Sequence, residues 1–400
     1  MRVLFLSPVG TLGGAERVLL TAVAGLRRAE PEWPVGVLAL ADGPLLEQVR
    51  ALGATAEAVH LPTILARLGD SQLRRGGKLA LAARGLLAGP AAAGYVTRLR
   101  AAVRRAAPDV VHSNGIKTHL LSRLVVPARV PVVWHLHDFY ALRPVAAGLL
   151  RRACGRVRAG VAISNAVAAD AAKALPGMPV TTVPNAVNLG RFAPGPGDAL
   201  DALAALAPAP PETIRVGLVA TYARWKGHLT LLDAVATLAR GEPGLPVRWY
   251  VVGGPVYATG AQFTEAELRA AASARGVGDR VGFVPFRPNP AGVYNALDVV
   301  VHASTLPEPF GLTVAEAMTC GRAVVVSAAG GAAELFADGH DAVGVAPGDA
   351  AGLATAVSRL VRDRKLREQL GAAARRTAVD RFSDAAYGVS LAAVYKCVVR

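Results

Sequence analysis

The first sixteen residues, MRVLFLSPVGTLGGAE, contain the pattern that decides the fold. A short apolar run at residues 3–6 leads into a glycine-rich turn, and a helical pattern follows the turn. A strand that is apolar on both faces is typical of a parallel sheet covered by helices on each side. Four apolar residues are too few for the apolar region of a signal peptide, so we predict a buried strand here.

The same alternation of short apolar runs and helical stretches continues along the chain and is interrupted once, by a Pro- and Gly-rich segment at residues 188–211. This rhythm predicts two α/β halves, each with a parallel sheet. The predicted strands of the first half lie at residues 3–6, 35–40, 110–112, 130–136 and 160–163. Those of the second half lie at residues 214–220, 247–252, 281–284, 299–302, 323–327 and 342–345, before helical patterns at 350–380 and 383–399.

The composition sets limits on the class of protein. With 400 residues and 52% hydrophobic content, the chain can bury a core in each of two domains. The three cysteines are scattered without a Cys-x-x-Cys pair, which argues against a disulfide framework and a zinc knuckle and fits a reducing cytoplasm. No run of 18 uncharged apolar residues occurs, so no membrane span is predicted.

The formal charge of +15 lies mostly in the first half of the chain. Residues 1–190 carry 23 Lys and Arg against 10 Asp and Glu, whereas residues 191–400 carry 21 against 19. Such asymmetry indicates an anionic partner, either a nucleic acid or a negatively charged membrane surface. An Arg-rich compositional bias that leaves the arginines on solvated faces explains the same numbers.

Residues 301–318, VHASTLPEPFGLTVAEAM, carry the most specific chemical signal. They follow a predicted strand and open a helix. Gly311 allows a ligand to approach the backbone, and the amides of Leu312 and Thr313 lie at a helix N-terminus, where a phosphate is stabilised. Glu316, one turn along the helix, can bind a ribose diol, and Glu308 precedes the helix on the loop. Together these residues predict a nucleotide-sugar site, although either carboxylate alone is unremarkable.

This segment resembles the Glu-x-Phe-Gly-Leu-x-x-x-Glu-Ala element of the retaining glycosyltransferases of family 4. The resemblance implies the GT-B fold, in which two Rossmann-like domains face a central cleft and a C-terminal helix packs back on the N-terminal domain. It also implies that Glu316 binds the donor ribose, that the Leu312 and Thr313 amides contact the diphosphate, and that Glu308 with the Phe310 and Gly311 backbone contacts the transferred sugar.

A second cluster, VGLVATYARWKGH at residues 216–228, contains cations at a strand-to-helix turn, where they can neutralise a departing pyrophosphate. Lys226 resembles the phosphate-binding lysine of the family's Lys-Gly pair. Most members carry Arg where this chain has Thr221, so we expect Thr221 to line the donor site and Arg224 to supply the missing charge. Solvated residues at a helix start are the alternative for both cations.

The glycine-rich turn of the first half, SPVGTLGGAE at residues 7–16, permits amide contacts to a phosphate but is weak evidence alone. Its Gly13 and Gly14 resemble the family's Gly-Gly-x-Glu loop, which faces the donor.

WHLHD at residues 134–138 ends another strand. His135 and His137 share a face of that strand, because residues two apart point the same way. They could ligate a metal with Asp138, serve as core or cap residues, or line an active site. The family has a sugar-contacting His near this strand end, and His137 is our candidate. His112 and the pair Ser164-Asn165 sit at comparable strand ends and are candidates of the same kind.

The resemblance extends over nearly the whole chain. The Pro- and Gly-rich interruption sets the predicted boundaries. Residues 1–187 are expected to form an acceptor domain, 188–212 a linker, 213–382 a nucleotide-sugar domain, and 383–400 a helix that crosses back. Asn188 stands where Asp is commoner in the family. No Asp-x-Asp occurs, so we expect no metal. The resemblance implies a UDP- or GDP-sugar co-substrate and no cofactor.

These observations predict transfer of a sugar to an acceptor hydroxyl with retained configuration, catalysed by Glu308, Lys226, Arg224 and His137. A nucleotide-sugar epimerase or a sugar phosphorylase of the same architecture is the enzymatic alternative, and a nucleic-acid-binding protein the non-enzymatic one. The last is weak, because only 5% of residues are aromatic and no reading module is visible.

Two groups of arginines in the first half suggest docking on the anionic inner face of a membrane, with a glycan or lipid-linked acceptor. Soluble basic helices are the alternative. The first group, at residues 65–105, consists of Arg67, Arg74, Arg75, Lys78, Arg84, Arg98, Arg100, Arg104 and Arg105, and the second consists of Arg143, Arg151, Arg152, Arg156 and Arg158.

Overall fold

The computed structural model describes residues 1–62, 78–255 and 260–400, with the backbone alone for residues 78–89. The described chain forms two units. Unit 1 comprises Met1–Asn185 and Asp384–Arg400, and unit 2 comprises Ala186–Ser383.

Unit 1 is built on a parallel sheet with the strand order β3-β2-β1-β4-β5-β6-β7. The strands are β1 Val3–Ser7, β2 Val35–Ala39, β3 Thr55–Ala58, β4 Val110–Ser113, β5 Val132–Leu136, β6 Val157–Ala162 and β7 Val180–Thr182. Its helices are α1 Gly14–Ala29, α2 Pro44–Ala51, α3 Lys78–Ala106, α4 Ile116–Val125, α5 Pro144–Ala153 and α6 Asn165–Ala174, with short 3₁₀ turns at Tyr140–Leu142 and Cys154–Arg156.

Unit 2 repeats the architecture with a parallel sheet in the order β10-β9-β8-β11-β12-β13. Its strands are β8 Ile214–Val219, β9 Val247–Gly253, β10 Val281–Pro285, β11 Val299–His302, β12 Ala323–Ser327 and β13 Val343–Val345. Its helices are α7 Leu200–Leu203, α8 His228–Gly241, α9 Glu265–Ala274, α10 Ala291–Ala296, α11 Leu312–Thr319, α12 Ala350–Arg362 and α13 Arg364–Arg381, with 3₁₀ turns at Arg224–Lys226 and Gly331–Glu334.

The central strands are apolar because helices cover both faces of each sheet. In β1, β5 and β12 every residue is buried, so these strands are apolar runs without alternation. The two strands that the sequence did not predict, β3 and β7, lie at the two edges of the first sheet and are partly exposed. Every predicted strand overlaps an observed one.

The strand order fixes where a ligand can bind. In each unit the chain starts in the middle of the sheet, builds one side, and then crosses to the other, so that β1 lies beside β4 and β8 lies beside β11. At such a switch point the loops after the two strands diverge, and ligands of open α/β sheets bind in the crevice outside the carboxyl ends. The loops after β8 and β11 are those that carry Lys226 and Glu308.

The last helix, α14 Asp384–Val399, packs in unit 1, whereas Ser383 belongs to unit 2. Its backbone at Gly388 approaches that of Gly25 in α1 so closely that neither position has room for a β-carbon. The hydroxyl of Tyr395 lies 2.7 Å from Nδ1 of His112 at the end of β4, and both side chains are fully buried.

Residues 188–212, the predicted linker, lie in unit 2, where Asp201 of α7 forms a polar network under the sheet. Its carboxylate accepts hydrogen bonds from Arg248 at 2.7 Å, from Arg215 at 3.3 Å and from the Tyr250 hydroxyl. Burial raises the pKa of Asp201, but these hydrogen bonds outweigh burial and hold the pKa below its usual range. Within the described ranges, no helix is long and apolar enough to span a bilayer.

Candidate active site

The loop after β8 is joined to the end of β11 through its backbone. Lys226 ends a 3₁₀ turn, and Gly227 then takes the left-handed conformation, with φ of +77°, at the start of α8. A β-carbon at Gly227 would overlap the carbonyl oxygen of Ala303, so only glycine allows this approach. Thr305 donates its amide to the carbonyl of Trp225 at 2.8 Å. The backbone of Lys226 is therefore fixed beside the residues that follow β11.

The loop that carries Glu308 is held from its other side by the turn after β12. The amide of Glu308 donates to Ala329 at 3.3 Å, and its carbonyl accepts from the amide of Gly331 at 2.7 Å. Gly330 has φ of +65°, and a β-carbon there would collide with the backbone of Glu308. Glycine is therefore required at residue 330, where the two loops meet.

These constraints bring Lys226 and Glu308 into contact across 82 residues of sequence. The Lys226 ammonium donates to both carboxylate oxygens of Glu308, at 2.9 Å to Oε1 and 2.7 Å to Oε2, and it lies over the Trp225 ring, 4.1 Å from the centroid. His302 and Ser304, at the end of β11, also contact Oε2, at 3.2 Å and 2.9 Å. Glu308 is 8% exposed.

Burial raises the pKa of Glu308, but the charge of Lys226 and the hydrogen bonds from His302 and Lys226 outweigh burial and lower the pKa to about 2. The carboxylate is therefore ionised at neutral pH although it is buried. The site is a buried, hydrogen-bonded ion pair at the switch point of the second sheet.

Helix α11 begins directly after this ion pair. Gly311 precedes its first turn with φ of +102°, a conformation that favours glycine, and the amides of Leu312 and Thr313 belong to the turn whose N–H groups have no partner within the helix. Glu316, on the second turn, accepts a hydrogen bond from the Tyr294 hydroxyl at 2.8 Å. Phe310 is buried with its ring edge-on to that of Phe382, 5.8 Å between centroids.

Arg224 makes contacts of a different kind from those of Lys226. Its guanidinium donates to the carbonyl of Gly260 at 3.0 Å and to Glu267 at 3.1 Å, and it lies over the Phe263 ring. Arg224 and Glu267 are both about half exposed. Thr221 is partly buried at the start of the same loop.

In unit 1, three loops at the carboxyl edge of the sheet meet. The amide of Gly13 donates to the buried carboxylate of Glu16 at 3.1 Å, which closes the start of α1 before Gly14, and burial raises the pKa of Glu16. Asn114, directly after β4, donates to the carbonyl of Ala15 at 3.3 Å. Its side-chain oxygen lies 2.8 Å from Nε2 of His137, the residue after β5.

The histidines of this edge have different surroundings. His135 and His137 share a face as predicted, with ring centroids 4.0 Å apart, but His135 is 1% exposed and lies 3.4 Å from the Tyr387 hydroxyl of α14. His135 and His112 are thus core residues. Desolvation lowers the pKa of His137 to about 4, so its imidazole is neutral at pH 7.

Two further candidates at this edge have structural contacts. Ser164 caps α6 by accepting the amide of Val167 at 3.1 Å, and Asp138 pairs with Arg143 at 3.4 Å. Within the described residues, no three His, Cys, Asp or Glu side chains are arranged to hold a metal ion.

Two family models match the chain, one for each half. Residues 12–191 match the model of Glycosyltransferase Family 4, and residues 207–377 match that of Glycosyl transferases group 1. The chain belongs to glycosyltransferase family 4. Both matches include the residues discussed above, with Gly13, Gly14 and His137 in the first and Lys226, Glu308 and Glu316 in the second.

Curated relatives of this family 4 member include D-inositol 3-phosphate glycosyltransferases. The protein of that name from Actinosynnema mirum is 37% identical over 209 residues, which cover 51% of this chain and 47% of the relative. The one from Nocardia farcinica is 33% identical over 194 residues, or 48% and 42%. The chain therefore matches less than half of the length of these relatives.

Solved structures are similar over the whole chain. Anabaena HepE, solved in complex with UDP and glucose, is 25% identical with a TM-score of 0.79, and 99% of each chain is covered. Sucrose-phosphate synthase from Thermosynechococcus elongatus is 20% identical with a TM-score of 0.76 over 100% of this chain and 99% of the other. The family 4 member therefore has the GT-B fold, with two parallel-sheet Rossmann-like domains.

Of the predicted site residues in unit 2, the structure brings Lys226 and Glu308 into direct contact and places Gly311, Leu312, Thr313 and Glu316 on the adjoining helix start. The Arg224 guanidinium instead donates to Glu267, which lies outside this cluster. Sequence reasoning assigned no role to His302, Ser304 or Asn114. Each lies at the end of a strand beside the switch point, and that position was the one available signal for them.

Proposed function

We propose that this chain transfers a sugar from a nucleotide-sugar donor to an acceptor hydroxyl with retention of configuration. The observation that carries the proposal is the buried pair of Lys226 and Glu308, which lies directly before the N-terminus of α11 at the switch point of unit 2. A cation and amides that have no partner within their helix suit a diphosphate, and an ionised carboxylate beside them suits sugar hydroxyls.

In this proposal Lys226 and the amides of Leu312 and Thr313 bind the diphosphate, and Glu316 binds the ribose. Glu308 contacts the transferred sugar together with the backbone of Phe310 and Gly311, and Thr221 lines the same site. The complex of Anabaena HepE with UDP and glucose supports UDP as the first nucleotide to test. We expect Arg224 to contribute less than Lys226, because its guanidinium already pairs with Glu267.

Gly13, Gly14 and His137 of unit 1 are proposed to contact the donor as well. A neutral His137 can donate one hydrogen bond and accept another, which suits a sugar hydroxyl. The contact with Asn114 holds its ring in one orientation. His137→Ala and Asn114→Ala should therefore both weaken transfer, and loss in the first variant alone would leave Asn114 without a positioning role.

The proposed mechanism needs no protein nucleophile. Lys226 stabilises the leaving diphosphate, the acceptor hydroxyl attacks from the same face of the sugar, and its proton passes to a phosphate oxygen. Because the lysine supplies the positive charge, we expect transfer to continue in EDTA. An inverted product by NMR, or activity that disappears with EDTA and returns with Mg²⁺, would refute this mechanism.

The first experiment follows the thermal midpoint with UDP-, GDP- and ADP-sugars in the wild type, Lys226→Met and Glu316→Ala. A ligand that binds only the folded state raises the midpoint by mass action. A rise with one nucleotide class that both variants lose supports the donor site. A folded wild type that responds to no donor at millimolar concentration contradicts it. Turnover without acceptor would indicate an epimerase, and a requirement for inorganic phosphate a phosphorylase.

For the acceptor we propose a cell-envelope glycan or a lipid-linked sugar. The curated relatives make D-inositol 3-phosphate a second acceptor to include in the panel. Transfer to D-inositol 3-phosphate and to no glycan would overturn the first choice.

We further propose that unit 1 docks on an anionic membrane through what we call the α5 surface, formed by Leu142, Val145 and Leu149 with the arginines beside them. The three apolar side chains are 72%, 79% and 48% exposed. Val145 and Leu149 lie four residues apart and form a ridge on one face of α5, and Leu142 ends the 3₁₀ turn before the helix. Isolated exposed apolar residues are common, whereas three within one short segment suit an interaction surface.

The charge around the ridge favours anionic lipid as its partner. Arg143, Arg151 and Arg152 are exposed on the same segment, and Arg156 and Arg158 follow it. Two acids lie near this segment: Asp138, which pairs with Arg143, and Asp170, whose carboxylate accepts the amides of Tyr140 and Ala141. Each basic residue near an anionic bilayer contributes about 1 kcal/mol. Of the basic group at residues 65–105, Arg67, Arg74 and Arg75 lie outside the described residues.

Sedimentation with vesicles of phosphatidylglycerol and phosphatidylcholine at low salt tests the α5 surface. The wild type should bind, and the triple change of Leu142, Val145 and Leu149 to Ser should abolish binding. Val389→Ser serves as the control, because Val389 is 60% exposed in unit 1 outside this surface. No sedimentation at low salt, or equal binding by the triple variant, would overturn the docking. Binding to duplex DNA that survives the triple change would instead revive a nucleic-acid partner.

A further inference from the structure

Three hydrogen-bond donors converge on one oxygen of Glu308, and two of them do not belong to Lys226. Oε2 accepts from the Lys226 ammonium at 2.7 Å, from the Ser304 hydroxyl at 2.9 Å and from His302 Nε2 at 3.2 Å. Ser304 and His302 are 1% and 5% exposed, and they lie 3.1 Å from each other. Such buried donors leave the carboxylate little rotational freedom even without the lysine.

The hydrogen bonds indicate which ring nitrogen of His302 donates to Glu308. An ionised carboxylate only accepts, and the single hydrogen of Ser304 points to it, so Nε2 of His302 has to carry a hydrogen. Nδ1 of His302 is buried and has no hydrogen-bond partner in the part of the chain that the structure describes.

Lys226 and Glu308 differ in what holds them. The backbones of both are fixed, by the Gly227–Ala303 approach and by the Glu308–Gly331 hydrogen bond. The Lys226 ammonium, however, stands at the end of four rotatable bonds and is 18% exposed, so it can turn to a new partner. The Glu308 side chain is shorter and has Ser304 and His302 as additional donors.

We propose that Ser304 and His302 are positioning residues that keep the Glu308 carboxylate in place when Lys226 turns from it to the diphosphate of the donor. This inference rests on the proposed function. Without these two donors, the lysine that stabilises the leaving group would also be the sole support of the carboxylate that contacts the sugar. With Ser304 and His302 in place, the Lys226 side chain can move while the Glu308 carboxylate stays.

The kinetic test uses Ser304→Ala, His302→Phe and the conservative His302→Gln, whose amide returns a donor near Nε2. Hydrogen bonds to a charged group account for losses of roughly tenfold to a hundredfold, and we expect a fall of that size in kcat for Ser304→Ala and His302→Phe. Affinity for UDP should change little, because Lys226 remains. His302→Gln should stay near the wild type.

The pH profile separates positioning from a merely structural role. The charges and donors around Glu308 come from Lys226, His302 and Ser304, and loss of a donor that favours the carboxylate raises the pKa of Glu308. The acid limb of kcat should therefore move to higher pH in His302→Phe and return in His302→Gln. As a control, His119→Phe removes a buried imidazole from unit 1 and should lower the melting temperature without moving the limb.

A crystal structure of Lys226→Met at pH 7.5 tests the positioning without any substrate. We expect Glu308 Oε2 still within hydrogen-bonding distance of Ser304 Oγ and His302 Nε2. A Glu308 side chain that turns away would overturn the inference, as would an unchanged kcat in both Ser304→Ala and His302→Phe. If the wild type transfers no sugar from any donor, the proposed function fails, and the Lys226→Met structure still decides whether His302 and Ser304 hold Glu308.

Discussion

Gly227 lies so close to Ala303 that the carbonyl oxygen of Ala303 occupies the space of a β-carbon on residue 227. This approach joins the loop after β8 to the end of β11 and so determines where the Lys226 ammonium can reach. One glycine thus controls the geometry of an ion pair whose members are 82 residues apart.

Gly227→Ala should destabilise the protein and displace Lys226. The change forces a residue with a β-carbon into φ of +77° and against a backbone carbonyl, which costs on the order of 1–3 kcal/mol. We expect a lower melting temperature and no thermal shift with nucleotide. Gly241→Ala, at the end of the same helix, meets no atom within 4 Å and serves as the control. An equal response of the two variants would contradict this role of Gly227.

Lys226→Met should lower the free energy of unfolding by about 3–5 kcal/mol at pH 7, because it leaves a buried carboxylate without its cation. The double variant that also carries Glu308→Gln should recover part of this free energy. Urea unfolding of the two variants and the wild type at pH 7, followed by circular dichroism, provides the comparison. A double variant less stable than the single one would show that burial of the Glu308 charge is not the cause.

The cost of Lys226→Met should shrink on acidification. In the wild type the pKa of Glu308 is lowered to about 2, so its contribution is present above the ordinary value of 4.5 and is lost as the pH falls toward 2. Without the charge of Lys226 the pKa of Glu308 is higher than in the wild type, so acid protonates the carboxylate earlier and relieves the buried charge. The difference in unfolding free energy between wild type and variant should be smaller at pH 4.5 than at pH 7.

Acid should destabilise the protein through the buried histidines of unit 1. Burial lowers the pKa of His112 to about 3 and that of His135 well below 6.5. The unfolded chain takes up these protons near pH 6.5 and the folded chain does not, so stability is full above pH 6.5 and falls below it. Each such histidine contributes about 1.4 kcal/mol per pH unit.

Between pH 6 and 5, His135→Phe should reduce the pH dependence of the unfolding free energy by about 1.4 kcal/mol per pH unit, the value for one proton. Urea unfolding at several pH values in this range measures this dependence. A slope equal to that of the wild type would mean that His135 takes up its proton in the folded state.

Gly388→Ala should weaken the docking of α14. Alanine has a higher helix propensity than glycine, but its β-carbon would collide with the backbone of Gly25. The net effect is a loss of roughly 1–3 kcal/mol in the free energy of unfolding. Limited proteolysis should then cleave within residues 384–400 sooner. Ser390→Ala, exposed on the same helix, is the matched control. Unchanged protection in Gly388→Ala would place the support of α14 elsewhere.

The buried strands could be predicted from sequence because burial on both faces makes them apolar throughout. Edge strands lack that property, and Thr55–Ala58, with its partly exposed TAEA sequence, carries no signal distinct from a loop. Helix α14 could be placed in unit 1 only through the family resemblance, since the sequence alone does not reveal that Gly25 and Gly388 meet.

The candidate site was predictable where one segment carries it. Residues 308–316 combine a loop carboxylate, a helix start and a second carboxylate within nine positions. The contact between Glu308 and Lys226 was harder to predict, because Lys226 lies on another loop and was expected to bind a phosphate. Arg224 contacts Glu267 and Phe263, and no local pattern around residue 224 indicates these contacts. His302 belongs to the motif at residues 301–318, but its role depends on which way a buried ring points.

The crossing of α1 and α14 at Gly25 and Gly388 also constrains the order of folding. Unit 1 contains the first residues to be synthesised, yet residues 384–400, which complete its core through Tyr387, Leu391 and Tyr395, follow all of unit 2 along the chain. During synthesis on the ribosome, unit 2 can therefore fold first. Until then His112 and His135 of the earlier strands are not covered by α14. We therefore expect the later half of the chain to complete its fold before the earlier half.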